Sequence, residues 1–162
     1  MAAVPAILDE VVVRSACGGL LVQEADCRLF VDEIRCVTGS LPNQDVMREI
    51  EFAWKVVKHV KSNAIVVTKE KRAIGIGGGQ PSRIDAARLA IRKAKEVGHD
   101  PSGGVMASDG FFPFPDCIEL AHSEQIEYVV QPGGSIRDEE VIGKARELGI
   151  TMLVTSTRHF RH

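Results

Sequence analysis

Apolar side chains recur along this chain with two periods, and the change from one to the other outlines most of its elements. Across positions 43–60, Val46, Ile50, Ala53, Trp54, Val57 and Val60 return every three or four residues. That spacing places them on one face of a helix, with Pro42 just ahead, a frequent place for proline at a helix start. Two β-branched runs at 64–68 and 73–76 flank the charged turn Lys69-Glu70-Lys71-Arg72 and predict a hairpin. Helical spacing then fills 82–97 and stops at Gly98, where a left-handed C-cap is favoured. Strands predicted at 105–108, 128–131 and 151–155 alternate with a helix from Asp116 and a second over 135–148, closed by Gly149. Ahead of the first helix the pattern is thin: the run Val11-Val12-Val13 and a short strand at 18–23. Strand–helix alternation predicts an α/β domain over 1–162 with a mostly parallel sheet and helices packed on it.

Composition changes this picture little but excludes several functions. The 162 residues are 44% apolar and 26% charged, the balance of an ordinary globular domain long enough to bury a core. Twenty Lys+Arg against 22 Asp+Glu leave a net charge of −2, without the basic stripe that nucleic-acid binding needs. No apolar run approaches the roughly 20 residues that span a bilayer, so no membrane partner is expected. Met1-Ala2-Ala3-Val4-Pro5 lacks the flank and core of a secretory leader. Cys17, Cys27, Cys36 and Cys117 form no C-x-x-C and read as reduced thiols. A cytoplasmic location is therefore expected.

Candidate chemistry gathers where strands give way to helices. Gly77-Gly78-Gly79-Gln80-Pro81 leads into Ser82-Arg83-Ile84-Asp85, Phe111-Phe112-Pro113-Phe114-Pro115 into Asp116-Cys117-Ile118-Glu119, and Pro132-Gly133-Gly134 into Ser135-Ile136-Arg137-Asp138. Each helix opens with Ser or Asp and carries an acid three residues on, the spacing of a capping box. In a parallel sheet such junctions line the edge where ligands bind. Glycine admits close approach there, and Arg83 and Arg137 favour a phosphate or carboxylate. The Phe111–Phe114 segment suits a planar heterocycle, with at least one of its rings expected in the core. The glycines are neither a dinucleotide fingerprint nor a P-loop. No G-x-S-x-G elbow and no zinc-deaminase motif is present. His159 and His162 are spaced to clip a metal, yet nothing suggests further ligands, so no metal is expected.

These segments, taken in order, resemble the C-terminal half of AICAR transformylases. Phe52-Ala53-Trp54-Lys55-Val56-Val57-Lys58 with Val60-Lys61-Ser62-Asn63-Ala64-Ile65-Val66 resembles the segment carrying an active-site asparagine. The stretch 75–83 resembles the G-x-G-x-G-Q-x-S-R motif, Ser108-Asp109-Gly110-Phe111-Phe112-Pro113-Phe114 an S-D-A-F-F-P-F loop, and 131–138, 158–162 and 14–23 match as well. The resemblance covers residues 14–162. It implies a cytidine-deaminase-like three-layer fold without the deaminase zinc, working as a homodimer with sites at the interface. It implies formyl transfer from 10-formyltetrahydrofolate, a co-substrate, to the amine of AICAR. Asn63, as the catalytic residue, and Arg83 would hold the nucleotide's carboxamide and its neighbours. Phe111 would line the heterocycle pocket, and Arg158 and Phe160 would close it. Asp116, with Ile84 and Pro113, would lie toward the folate. Some members bind potassium near the Asn63 and Asp109 segments. The family's catalytic Lys-His pair, in a K-H-x-N-P-C-G-type motif, belongs to the preceding subdomain and does not occur here; Lys58-His59 sits on the predicted helix and is not its equivalent. Two functions of different class follow: half of a formyltransferase, either acting with a separate N-terminal subunit or being a fragment or short relative of the full protein, or a non-catalytic nucleotide- or folate-binding or scaffold module.

Overall fold

A computed structural model describes residues 11–30 and 32–161. Met1-Ala2-Ala3-Val4-Pro5 and His162, used in the leader and metal arguments, lie outside them. Strands β1 (Val11–Ala16) and β2 (Gly19–Glu24) form a separate antiparallel ribbon. The other elements are β3 (Arg35–Cys36), α1 (Gln44–Lys58), β4 (Ile65–Lys69), β5 (Arg72–Gly77), α2 (Arg83–Glu96), β6 (Val105–Ser108), α3 (Asp116–Ser123), β7 (Tyr128–Gln131), α4 (Asp138–Glu147) and β8 (Thr151–Val154). Six strands make one sheet in the order β3-β8-β7-β6-β4-β5.

The expected α/β layering is present, in three layers. α1 lays Ile50, Ala53, Trp54 and Val57 against Val66, Ala107, Val130 and Leu153 on one face of the sheet. The other face packs Ile65, Val67, Met106, Val129 and Met152 under α2, α3 and α4. The sheet is mixed rather than mostly parallel. β6–β7 and β7–β8 are parallel, while β3–β8, β4–β5 and β4–β6 are antiparallel. The cause is local: the β4–β5 turn is too short for a crossover, and β3 joins the far edge as a two-residue strand. β1 and β3 were not separable from sequence, since one is exposed on both faces and the other is too short to show a period.

Helix ends follow their chemistry unevenly. Asn43 Oδ1 accepts the amides of Asp45 and Val46 at 3.1 and 3.0 Å. Ser82 and Asp85 behave as a capping pair: Ser82 Oγ accepts the Asp85 amide at 3.2 Å and donates to its carboxylate at 2.6 Å. The other two expected boxes are corrected. α3 begins behind Pro115 with no side-chain cap, and Asp116 instead accepts the amide of Cys117. α4 starts at Asp138, not at 135, because Asp138 accepts the amides of Gly134 and Ser135 at 2.6 and 3.1 Å and turns the chain. Gly98 and Gly149 end α2 and α4 with φ of 81° and 71°, the left-handed caps expected.

Candidate functional site

Topology gathers the chemistry on one edge. β5 runs antiparallel to β4 and β4 antiparallel to β6, so β5, β6, β7 and β8 all point the same way. Their ends at Gly77, Ser108, Gln131 and Val154 therefore share an edge with the start of β4. Register makes this concrete: Ile65 pairs with both Gly77 and Ser108. Asn63, Gly78, Asp109, Pro132 and Thr155 leave the sheet at this edge.

Asp109 is its hub. It is fully buried, accepts the Ala64 amide at 3.1 Å, and meets Arg83 Nη2 at 3.4 Å with the same oxygen. Its second oxygen accepts the Ser62 hydroxyl. Arg83 is 14% exposed, and burial lowers its pKa more than Asp109 raises it; the neighbouring Arg158 lowers it further. Arg83 Nε is buried with no partner among the described residues. A Cβ at Gly110 would meet Arg83 Nη2 at 1.8 Å, so the guanidinium lies directly against the Gly110 backbone.

Asn63 is pinned to the glycine-rich loop. Its backbone exchanges hydrogen bonds with Gln80 at 3.3 and 3.4 Å, and Nδ2 donates to the carbonyls of Gln80 and Pro81 at 3.0 and 3.2 Å. The amide is thereby held with its donors inward and Oδ1 as its remaining acceptor. The glycines of β5 serve something other than ligand approach. Cβ atoms at Gly75 and Gly77 would meet the carbonyl oxygens of Ala90 and Ala86 at 2.1 and 2.0 Å. They let the alanine-rich face of α2 lie directly on the strand, and that contact aims Arg83 at the edge.

Phe111 has two cations over its ring, Arg83 Cζ 5.9 Å and Arg158 Cζ 5.0 Å from the ring centre. Phe112 is the ring that belongs to the core, and the half-exposed Phe114 carries Arg137 at 4.7 Å. Ile84 packs partly on the core, Pro113 is half-buried in the same loop as Phe111, and Asp116 accepts the amide of Cys117. The last residues are tied into the edge. The His159 amide donates to the Asp109 carbonyl at 3.1 Å, and Arg161 and Ser62 exchange backbone and hydroxyl bonds. Phe160 is 41% exposed on this segment.

Sequence reasoning missed the role of His159. It is fully buried, with Nδ1 2.6 Å from Asp26 and Nε2 3.1 Å from the Leu29 carbonyl, against the Trp54 ring at 4.9 Å. It clamps the tail to the 26–29 segment, over Trp54 of α1, and is closed to a ligand. A basic tail carries no signal for this, because both partners are remote in sequence. Among the described residues no group of three or more His, Cys, Asp or Glu could hold a metal, and no helix is long and apolar enough to cross a membrane.

The sequence profile described as AICARFT/IMPCHase bienzyme matches residues 3–93. The chain is 49% identical over 149 residues to a bifunctional purine biosynthesis protein PurH of Persephonella marina, and 49% over 150 to that of Aquifex aeolicus. It is 51% identical over 150 residues to that of Chloroflexus aurantiacus. These alignments take in 92%, 93% and 92% of this chain, which spans 29% of the length of each relative. Among solved structures, an apo dCMP deaminase of cyanophage S-TIM5 aligns at TM-score 0.48 and 15% identity, covering 69% of this chain and 98% of that one. A diaminohydroxyphosphoribosylaminopyrimidine deaminase/5-amino-6-(5-phosphoribosylamino)uracil reductase of Thermotoga maritima aligns at TM-score 0.42 and 28% identity, over 66% and 34%.

Proposed function

Because this chain belongs to the AICARFT/IMPCHase bienzyme family, we propose that it supplies the C-terminal half of a transformylase site in purine biosynthesis, passing a formyl group from 10-formyltetrahydrofolate to the 5-amino group of AICAR. The observation that carries this reading is the meeting of Asn63, Arg83, Asp109, Phe111 and Arg158 on one sheet edge. In the reaction the amine attacks the formyl carbon, the carbonyl oxygen becomes an oxyanion, and collapse expels the folate N10, which takes up a proton as the amine loses one. A modest nucleophile and a poor leaving group require alignment, proton transfer and oxyanion stabilisation.

Each residue has a role within this reading. Asn63 Oδ1 accepts an N–H from the nucleotide's carboxamide. The face of Phe111 stacks the imidazole. Arg83 and Arg158 repel one another beside that ring, so an electron-rich ligand that reaches both relieves the repulsion and receives their donors. Phe160 closes the nucleotide side, and Ile84, Pro113 and Asp116 face the folate. The Lys-His pair comes from the preceding part of a longer polypeptide or from a separate subunit, with a second copy completing the dimer in the cytoplasm. Potassium near the Asn63 and Asp109 segments would share a carboxylate that already accepts Ser62, Ala64 and Arg83, and no step passes through that ion.

Calorimetric titration with AICAR, with and without a folate analogue, tests the reading. Saturable 1:1 binding that Phe111→Ala and Asn63→Ala each weaken about tenfold supports it. No AICAR binding by the folded chain, or equal binding by both variants, overturns it.

A further inference from the structure

The pose of Phe111 depends on a residue outside the set above. The parallel register of β6 and β7 pairs Ala107 with Val130, which sets Gln131 beside Ser108 where the 109–115 loop departs. Gln131 is fully buried, and its Oε1 accepts the Phe112 amide at 2.7 Å. Its Nε2 is buried and has no partner among the described residues. For stability alone this is a poor choice of side chain. Leucine or methionine would fill similar space and remove an orphaned donor, and buried polar groups without partners destabilise. The single bond the amide makes fixes the backbone directly after Phe111. The Phe112 ring is buried beneath it in the cluster that holds α2 and α3 side chains, so both restraints act on the residue next to Phe111.

We propose that Gln131 is a positioning residue, whose Oε1 holds the Phe112 backbone so that the Phe111 ring stays beside Arg83 and Arg158 and faces the ligand. The ligand part of this rests on the reading of Phe111 as the wall for the AICAR heterocycle.

The test uses the full chain carrying Gln131→Leu or Gln131→Met. Three quantities are measured: hydrogen exchange of the Phe112 amide by NMR, AICAR affinity by calorimetry, and the thermal midpoint. Losing the acceptor and removing the orphaned donor offset one another, so the midpoint stays within a few degrees. Phe112 exchange accelerates at least about tenfold relative to β6 amides, and AICAR affinity falls about tenfold. A merely structural glutamine would lower the midpoint and leave both local readouts in step with it. Q131N keeps the amide but withdraws it by one methylene; it is read the same way and covers an apolar variant that fails to fold. Wild-type Phe112 exchange in the folded variants overturns the proposal, as does unchanged AICAR affinity when exchange is fast. If the wild-type chain itself binds no AICAR, the transformylase reading falls, while Phe112 exchange still decides whether Gln131 sets the loop.

Discussion

Asp109→Ala is expected to be the most damaging single truncation at the edge, and its cost can be assembled from its partners. The Ala64 amide is buried and bonds Asp109 Oδ1 at 3.1 Å; leaving such a donor unmet costs about 1–3 kcal/mol. Arg83, 14% exposed, loses its carboxylate partner. Breaking a buried pair costs about 3–5 kcal/mol, which the 3.4 Å separation and the partial exposure reduce to about 2–3 kcal/mol. The Ser62 hydroxyl is half-buried and also accepts the Arg161 amide, so it contributes little. The sum is about 3–6 kcal/mol, a fall of about 6–24 °C in Tm for a domain of this size. Asp109→Asn keeps an acceptor for the Ala64 amide and loses only the charge, for about 1–3 kcal/mol. Urea unfolding followed by fluorescence of Trp54, the one tryptophan, measures both. Adding Arg83→Leu to Asp109→Ala should restore part of the loss by removing the orphaned cation. A cost below about 1 kcal/mol for Asp109→Ala, or an equal cost for Asp109→Asn, would refute this account of the hub.

Gly77→Ala puts a Cβ 2.0 Å from the Ala86 carbonyl and must lift α2 off β5, so a loss of several kcal/mol is expected in urea unfolding; native stability would contradict the close-contact argument. His159→Ala opens one side of the Trp54 ring and should shift its emission to the red, with weaker AICAR binding because the tail loosens; an unchanged spectrum would mean the clamp does not hold. Burial pushes the Cys117 thiol well above its ordinary pKa, which lowers its thiolate fraction, so a thiol reagent at mildly alkaline pH should label exposed Cys17 and Cys27 and spare Cys117 until urea is added. Native labelling of Cys117 at the rate of Cys17 would contradict that burial.

Much of the edge was legible because its signals are local. The α1 stripe, the β4–β5 turn and the junction motifs each lie within a few residues, and period and turn chemistry carry them. What escaped depends on partners distant in the chain. His159 meets Asp26, and Arg161 meets Ser62 across 99 positions, pairings that no window exposes. The glycines at 75 and 77 illustrate a second limit. Tolerance of close approach can be read from the residue type, but whether a ligand or a helix approaches cannot. The capping boxes show a third: at Asp138 the acid reaches back to amides ahead of the helix, and the same letters then place its start three residues later.

Among the described residues the β1–β2 ribbon pairs only with itself, and the face formed by Val11, Val13, Leu20 and Val22 is 52–69% exposed. A two-stranded hairpin without a packed face is marginal in water, so unfolding in two stages rather than one is expected. A dye on Cys17, next to the ribbon's turn at Gly18, and the emission of Trp54 inside α1 should trace separate transitions, the first broad and early, the second sharp. Any single melting temperature quoted for the chain then depends on the reporter chosen, and backbone amides of 11–24 should exchange near the rate of an open peptide while those of β6 and β7 wait for global unfolding.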